Sequence, residues 1–322
     1  MTIDLNRRAA LGGLAAAGLG ATLAGCDRLT LTPKSTDESG FTAVPDGKVW
    51  WNRVASGNKT PMLMLHGGPG AGHNYLTPMK VLADERPVIF YDQLGCGKSD
   101  APEDPKIYTV ARYVQEVDAI RKALGLEKVI LFGHSWGSML AIEYMLTSPN
   151  AGSVEKLILG GALASVPQAM AGQDRLIDAM PNGDGKKLRA LEAAGKQSSK
   201  EYQDLVGEFY ALHVCRKTPP PKEFMETGAI LEKSPAYRIM NGPNEFTITG
   251  VIKDWERRPD LPKIKVPTYI TTGEFDEVTL DCHQSINQGI AGSKLEVFPG
   301  LSHVTMLEDP IRYNAAVRKF IS

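Results

Sequence analysis

The sequence lacks an excess of charge of either sign. Its 322 residues include 36 lysines and arginines against 37 aspartates and glutamates, which gives a formal net charge of -1. A nucleic-acid-binding protein needs a basic surface to neutralise phosphates, so the composition argues against a nucleic-acid partner. With 43% hydrophobic and 23% charged residues, the chain has the composition of a globular protein.

Metal-ligand patterns are also missing from the sequence. No H-E-x-x-H segment occurs, and the cysteines and histidines do not have the paired spacing of zinc sites. We therefore expect chemistry that needs neither a metal nor another cofactor.

An extended run of small apolar residues occurs only at the N-terminus, in LNRRAALGGLAAAGLGATLAGC (5–26). It is too short and glycine-rich for a lasting membrane span and is typical of an export signal. Its end, LAGC, resembles the lipobox of bacterial lipoproteins, whose cysteine is acylated, and Arg7 and Arg8 resemble a twin-arginine signal. We predict a signal peptide over 1–25, lipidation at Cys26, and an exported protein anchored to the bacterial membrane, facing the periplasm or the exterior.

Cysteines are few, four in all. With Cys26 assigned to lipid, Cys96, Cys215 and Cys282 remain, and an odd number cannot pair completely within one chain. A disulfide framework is therefore not predicted. A single bridge would fit an oxidising compartment, but the sequence does not identify its partners.

After a polar segment predicted as a flexible tether (26–40), short apolar runs alternate with amphipathic stretches. Six runs are predicted as strands buried on both faces, namely 61–66, 86–92, 127–133, 154–161, 266–273 and 294–300. Segments 109–124 and 136–147 have helical patterns. Such alternation is typical of a parallel sheet with crossover helices.

The alternation breaks between Ser165 and Asp254, where the pattern is helical and polar and TPPPK interrupts it. We interpret 165–254 as a helical cap inserted into one core, whose two parts span 41–164 and 255–322. The predicted fold class is α/β, with a mostly parallel central sheet, helices on both faces and an inserted helical cap. Nothing in the sequence indicates an oligomeric state.

Ser135 stands in a motif typical of a catalytic nucleophile. In VILFGHSWGSML an apolar strand leads into G-H-S-W-G (133–137) and then into a helix, which is the context of the G-x-S-x-G elbow. The flanking glycines permit a tight turn that exposes the hydroxyl at the carboxyl edge of the sheet. The backbone N–H of Trp136, at the helix start, would face an oxyanion beside Ser135.

The glycine-rich loop LHGGPGAGH follows an earlier strand and offers a second oxyanion donor. Gly68 is the preferred donor, and Gly67 is the alternative. A competing interpretation is a dinucleotide-binding loop, since Gly68 and Gly70 have G-x-G spacing. His73 stands where the third glycine is required, and Pro78 interrupts the helix that should receive the pyrophosphate, which argues against that interpretation.

A nucleophilic serine needs a histidine as base, which follows the serine in chains of this architecture. His213 falls in the predicted cap. His283 falls in a predicted helix, where a surface role is expected. His303 follows the strand and short loop LEVFPGLS, so that it could reach the sheet edge, and is the predicted base.

Three carboxylates crowd the segment GEFDE (273–277), which follows the predicted strand PTYITTG. Acids this close raise one another's pKa, so more than one of them needs a use. Asp276 is the predicted acid that accepts the imidazole Nδ1–H. Glu274 lies nearer the strand end and is interpreted as a carboxylate that structures the loop.

Several segments together carry a family resemblance. They are HGGPG (66–70), YDQLGCGKSD (91–100), GHSWGS (133–138), YRIMNGPNEFTITG (237–250), IKDW (252–255), GEFDEVT (273–279) and LSHVTMLED (301–309). They resemble the proline iminopeptidases of the α/β-hydrolase fold, and most closely the tricorn-interacting aminopeptidase. The resemblance covers nearly all of residues 45–322, and its most specific part is NGPNEFTITG in the cap.

The resemblance implies the same triad and oxyanion donors that the motifs indicate, and it adds two residues. Glu245, in NGPNE, and Glu277, in GEFDE, match the carboxylates that hold the substrate's free α-amino group in the family. The implied function is a serine exopeptidase that releases N-terminal proline or another small apolar residue from short peptides through an acyl-enzyme. The alternatives are an amino-acid amidase or esterase on the same fold and, from another class, a non-catalytic lipoprotein binding protein.

Overall fold

The structure is a computed structural model that describes residues 36–322. The predicted signal peptide and the predicted lipidation residue, Cys26, lie outside the described residues. Eight strands form one sheet in the order β1-β2-β4-β3-β5-β6-β7-β8. The strands are β1 Thr36–Val44, β2 Gly47–Ala55, β3 Met62–Leu65, β4 Val88–Tyr91, β5 Val129–His134, β6 Val154–Gly160, β7 Thr268–Gly273 and β8 Lys294–Phe298.

Strands β3 to β8 run parallel to one another. Side chains along a strand alternate between the two faces. In β3, Leu63 and Leu65 join the apolar cluster on one face, whereas Met62 and Met64 join the cluster on the other. Both faces of the central sheet are therefore buried, as the continuous apolar runs predict.

Strands β1 and β2 form an antiparallel hairpin, which pairs with β4 through β2. This hairpin was not predicted from the sequence because β1 is polar and mostly exposed, and β2 has only a short apolar stretch, 49–51, between polar residues. The hairpin also shows that the predicted tether, 26–40, was drawn too long. Residues 36–40 belong to β1, where pairing with β2 supplies backbone hydrogen bonds that composition does not reveal.

Nine α-helices occur within residues 36–322. They are α1 Val110–Ala123, α2 Trp136–Thr147, α3 Val166–Asp178, α4 Asp184–Ala193, α5 Lys200–His213, α6 Lys222–Lys233, α7 Leu280–Gly289, α8 Thr305–Glu308 and α9 Pro310–Ile321. Helices α1, α2 and α7 contribute to the apolar cluster on one face of the sheet and α9 to the cluster on the other. The predicted α/β class, with a mostly parallel sheet and helices on both faces, is confirmed.

Helices α3 to α6 are inserted between β6 and β7. Side chains of α3, α4 and α5 pack around Phe209 and Phe246 in a third apolar cluster, separate from the two sheet clusters. A π-helical turn, Tyr237–Asn241, follows α6. We call residues 165–254 the cap, and this segment has its own apolar centre above the carboxyl edge of the sheet.

Two further observations complete the fold. The predicted burial of the last strand on both faces is wrong, because β8 is the edge of the sheet and three of its five residues are exposed. Among residues 36–322, no helix has the length and apolar character needed to cross a membrane.

Candidate active site

Ser135 lies on the sharp turn between β5 and α2. Its backbone has φ 55° and ψ -124°, a strained conformation for a residue with a side chain. A Cβ on Gly133 would lie 2.2 Å from the carbonyl oxygen of Gly137, and a Cβ on Gly137 would lie 2.0 Å from that of Leu65. Both glycines are therefore required by close backbone packing, which holds the serine at the carboxyl edge of the sheet.

The hydroxyl of Ser135 is not used to cap α2. The turn is secured instead by Ser138, whose Oγ donates to the Ser135 carbonyl at 2.6 Å. The Ser135 side chain thus faces the neighbouring cavity, where it is available for reaction.

The two glycines proposed as oxyanion donors differ in their backbone N–H groups. The N–H of Gly67 donates to Tyr75 Oη at 2.8 Å and is already satisfied. The N–H of Gly68 has no partner among residues 36–322. Gly68 and Trp136 border the cavity beside Ser135, and Trp136 is the first residue of α2, where a backbone N–H has no partner within the helix. The geometry therefore favours Gly68 over Gly67.

His303 and Asp276 are joined by a short hydrogen bond. His303 Nδ1 lies 2.7 Å from Asp276 Oδ1, and both side chains are buried. Asp276 also accepts hydrogen bonds from the Val278 N–H and the Thr272 hydroxyl. Burial alone would raise the pKa of Asp276, but the charge and hydrogen bond of His303 outweigh it and hold that pKa below its usual range.

The pKa of His303 is raised. Burial would lower it, but the charge and hydrogen bond of Asp276, together with the charges of Glu277 and Glu245, raise the pKa to about 9. His303 Nε2 lies 3.6 Å from Glu277 Oε1. Ser135 and His303 line the same cavity, and no direct hydrogen bond joins them within residues 36–322. Catalytic hydrogen bonds of this kind commonly tighten only when substrate binds.

Glu277 and Glu245 approach the same cavity from different elements. Glu277 follows Asp276 in the loop after β7, is 2% exposed, and has a pKa raised to about 8, chiefly by burial. Glu245 comes from the cap, and its Oε1 accepts a hydrogen bond from Tyr237 Oη at 2.8 Å. Burial raises its pKa as well. Within residues 36–322, neither carboxylate has a lysine or arginine partner, and His303 lies 3.6 Å from Glu277. Two buried carboxylates in this position are suited to bind a further cationic group.

The cavity has two lobes on either side of Ser135. The outer lobe is bordered by His303 and by cap residues such as Phe224 and Leu231. The inner lobe has mainly apolar walls. Residues that border both lobes are Gly68, Ser135, Glu245 and Glu277. The hydroxyl and the two carboxylates therefore meet where the lobes join.

A wider groove of about 1440 Å³ lies between α5, α6 and the segment 243–245 of the cap. It shares Val214, Phe224, Thr227 and Leu231 with the outer lobe. The groove therefore leads to the outer lobe from the cap side.

A hydrogen-bonded chain that the sequence analysis missed connects the glycine loop to the predicted base. Tyr75 Oη, which accepts from the Gly67 N–H, lies 2.9 Å from His134 Nδ1, and His134 Nε2 lies 3.0 Å from the His303 carbonyl. Burial, reinforced by the nearby His303, lowers the pKa of His134 to about 3. A neutral His134 donates through Nε2–H and accepts at Nδ1, which fixes its tautomer. The only sequence signal was its place beside Ser135.

The other two histidines that follow the elbow have structural contacts. The expected surface role of His283 is wrong: it is 0% exposed, and its Nε2 accepts from the Ala162 N–H at 2.8 Å because its helix packs against the sheet. His213 ends α5, and its carbonyl accepts the backbone N–H groups of Glu277 and His303. The end of a cap helix thus positions both loops of the site.

Two remaining predictions concern residues outside the cavity. Glu274 is exposed, and its carboxylate accepts the Gly300 N–H at 2.8 Å, which ties the loop after β7 to the loop after β8. Cys96, Cys215 and Cys282 are buried and unpaired, so none of them forms a disulfide with another described residue.

The fold and the serine elbow define an enzyme of the α/β-hydrolase class, and the family model for the alpha/beta hydrolase fold matches residues 60–310. The chain is 40% identical over 271 residues to a proline iminopeptidase of Saccharolobus solfataricus, covering 84% of this chain and 86% of the relative. It is 41% identical over 269 residues to a proline iminopeptidase of Thermoplasma volcanium, covering 83% and 90%. The chain therefore belongs to the proline iminopeptidase family and is a hydrolase of the peptidase kind.

Solved structures agree with this assignment. The crystal structure of proline iminopeptidase from Mycobacterium smegmatis superposes with a TM-score of 0.83 at 34% identity, covering 88% of this chain and 97% of that one. The crystal structure of VinJ gives the same TM-score at 32% identity, covering 88% and 98%. The similarity extends over the cap as well as the sheet.

Proposed function

We propose that the protein is a serine exopeptidase of the tricorn-interacting type. It releases N-terminal proline, or another small apolar residue, from short peptides through an acyl-enzyme. The main support for this proposal is that Ser135, Glu245 and Glu277 all border both lobes of the cavity. A nucleophile beside two buried carboxylates fits a substrate whose scissile carbonyl is one carbon away from a free amine.

Acylation in this proposal follows the serine-histidine-acid mechanism. Ser135 Oγ attacks the carbonyl of the N-terminal residue while His303 Nε2 takes the hydroxyl proton, and Asp276 holds the imidazolium through Nδ1. The N–H groups of Gly68 and Trp136 stabilise the oxyanion. When the peptide bond breaks, His303 returns the proton to the leaving amine. Water then attacks the ester by the same route and frees the amino acid and the serine.

Recognition of the chain end depends on Glu245 and Glu277. Each charge-assisted hydrogen bond from an α-ammonium to one of these carboxylates is worth about 1.5–3 kcal/mol. An N-acylated substrate would leave both buried acids unpaired, at a cost on the order of 3–5 kcal/mol. The same site therefore binds free N-termini and rejects blocked ones.

The ammonium also acts on the base. His303 Nε2, the atom that must take the serine proton, lies 3.6 Å from Glu277 Oε1. An α-ammonium that pairs with Glu277 competes with the imidazole for that carboxylate and neutralises part of the negative charge that raises the pKa of His303. Binding of the correct substrate thus favours the neutral imidazole that catalysis requires.

The substrate reaches the site through the cap. The groove between α5 and α6 leads to the outer lobe, so the peptide beyond the scissile bond lies there, while the N-terminal side chain enters the apolar inner lobe. This arrangement suits short, unfolded peptides.

The test of the proposed function compares hydrolysis of prolyl anilide, prolinamide and N-acetylprolyl anilide by the full-length protein in detergent. We expect the anilide to be cleaved fastest and the acetylated substrate to be cleaved at least about 100-fold more slowly. Faster cleavage of the amide would favour the amino-acid amidase. A failure of Ser135 to react with a fluorophosphonate probe, together with no hydrolysis, would favour the non-catalytic binding protein.

We also propose that the protein acts at a bacterial membrane, anchored by lipid on Cys26 and facing the periplasm or the exterior, after export by the twin-arginine route. The support is the N-terminal sequence alone. Metabolic labelling with a clickable fatty acid should mark the wild type and not Cys26→Ser. Equal labelling of both, or recovery of the wild type in the soluble fraction, would contradict the anchor.

A further inference from the structure

Two of the buried acceptor atoms that lack a hydrogen-bond partner border the same cavity. They are Gln173 Oε1, on helix α3 of the cap, and Glu277 Oε2, and neither is bonded to any group among residues 36–322. Gln173 is 4% exposed and Glu277 is 2% exposed. Buried polar atoms are nearly always paired, so two unpaired acceptors in one place need an explanation.

Both residues border the inner lobe, together with Glu245 and Ser135. Two side-chain donors of its wall are already engaged: the Asn241 amide donates to the Asn244 carbonyl at 2.8 Å, and the Trp136 indole N–H donates to Gln93 at 2.8 Å. The rest of the wall is apolar and consists of Met139, Leu163, Val166, Ala169, Ile248, Ile252 and Val278. Within the described residues, the free backbone N–H groups of Gly68 and Trp136 lie beside Ser135 and are assigned to the oxyanion. The Gln173 amide N–H hydrogen-bonds Glu277, which leaves Gln173 Oε1 as an acceptor for a ligand that brings N–H groups.

Two kinds of substrate differ in the number of N–H groups on their α-ammonium. The ammonium of an N-terminal proline is secondary and has two N–H donors, which Glu245 and Glu277 can accept. The ammonium of any other residue is primary and has three. Gln173 Oε1 borders the same lobe, is buried and has no partner among residues 36–322, so it is an available acceptor for the third.

We propose that Gln173 is a specificity-determining residue that accepts the third N–H of a primary α-ammonium and so favours alanine, or another small apolar residue, over proline at the N-terminus. This inference rests on the proposed function. Proline binding leaves the Gln173 acceptor buried and unpaired, whereas a primary amine satisfies all three acceptors. The apolar wall of the inner lobe receives the small side chain.

The test uses Gln173→Met, which keeps the length of the side chain and removes the amide. In the full-length protein, kcat/KM for alanyl anilide should fall about tenfold or more, as expected for a lost hydrogen bond to a charged group. For prolyl anilide it should change by less than about threefold. An equal change for both substrates would overturn the inference.

Gln168→Met is the matched control. Gln168 lies on the same helix, but its amide contacts Asp281 and Ser285 outside both lobes. We expect this variant to leave the ratio of the two rates at the wild-type value. A shift as large as that of Gln173→Met would show that helix α3, and not the acceptor, determines the ratio, and would also overturn the inference.

A change in the substrate removes the same hydrogen bond without touching the protein. N-methylalanyl anilide keeps the alanine side chain but has only two N–H donors. The wild type should cleave it about tenfold more slowly than alanyl anilide, and Gln173→Met should show a much smaller difference. If the variant does not fold, the wild-type comparison decides alone, and equal rates for the two substrates contradict the role of Gln173.

The outcomes distinguish this inference from the proposed function. If the wild type cleaves neither alanyl nor prolyl anilide, the proposed function fails. If the wild type cleaves both and Gln173→Met leaves their ratio unchanged, only the role of Gln173 fails. Thermal melting and fluorophosphonate labelling of each variant establish that it is folded and that Ser135 still reacts.

Discussion

The edge of the sheet and the cap contribute to the site in different ways. At the sheet edge, Ser135 is held by backbone packing so tight that neither flanking glycine tolerates a side chain. In the cap, Glu245 and Gln173 are held by helices and turns that surround a separate apolar cluster. In the proposed function, the sheet edge supplies the groups for bond breaking, and the cap supplies groups that select the substrate. The predictions below test how cleanly these tasks are separated.

The largest effect is expected at the sheet edge. Ser135→Ala should lower kcat by about 10⁴-fold or more, because the nucleophile is lost. Binding of a free-amine ligand such as prolinamide should persist, since the carboxylates remain, and calorimetry measures it. A variant that loses binding together with turnover would contradict the separation.

The second prediction concerns the amine-binding carboxylates. Glu245→Gln should lower kcat/KM for alanyl and prolyl anilides by about 100-fold, since a buried charge-assisted hydrogen bond is lost. The matched substrate is an activated ester without an amine, such as p-nitrophenyl propionate, whose rate should change by less than about threefold. An equal loss on both substrates would mean that Glu245 supports the reaction itself.

The third prediction concerns the pH dependence of the rate and Glu277, which lies beside the proposed base and also belongs to the proposed amine-binding site. His303 must be neutral to act as base, and its pKa is raised to about 9, with Glu277 among the causes. The rate on the amine-free ester should therefore rise with pH towards that value. In Glu277→Gln a charge that raises the pKa is removed, so the midpoint should move to lower pH by about one unit. An unchanged midpoint would mean that Glu277 does not raise the pKa of His303.

The smallest effect is expected from Tyr75→Phe, which removes the hydroxyl between the Gly67 N–H and His134. It leaves a buried donor unpaired, so unfolding should become easier by about 1–3 kcal/mol, and kcat should fall a few-fold as the glycine loop loosens. Tyr269→Phe is the control, because that hydroxyl contacts Glu296 away from the cavity. It should affect stability and leave kcat unchanged.

The sequence predicted best what the backbone constrains most. Ser135 was identifiable because a strand, two glycines and a helix must follow one another for the turn to form. Asp276 and His303 followed from chain order, and the structure brings them to 2.7 Å. Five of the six predicted strands, β3 to β7, were found because burial on both faces requires continuous apolar runs, whereas β8 is an edge strand with three exposed residues.

What the sequence did not reveal depends on contacts between distant segments. Gln173 belongs to no motif, and its importance arises only from the cavity that it borders. The contacts of the His213 carbonyl with two loops involve backbone groups, which carry no residue signature. The hairpin of β1 and β2 was missed because β1, a polar and mostly exposed strand, resembles a linker in composition.

The adjacency of Asp276 and Glu277 limits how enzymes of this design can diverge. Consecutive residues share one stretch of main chain, so an insertion or a shift that moves Glu277, the proposed amine-binding acid, also moves Asp276, the proposed partner of the base. If these roles hold, new substrate preferences are easier to reach by remodelling helix α3 and the segment around Glu245, which can change without moving Ser135, His303 or Asp276.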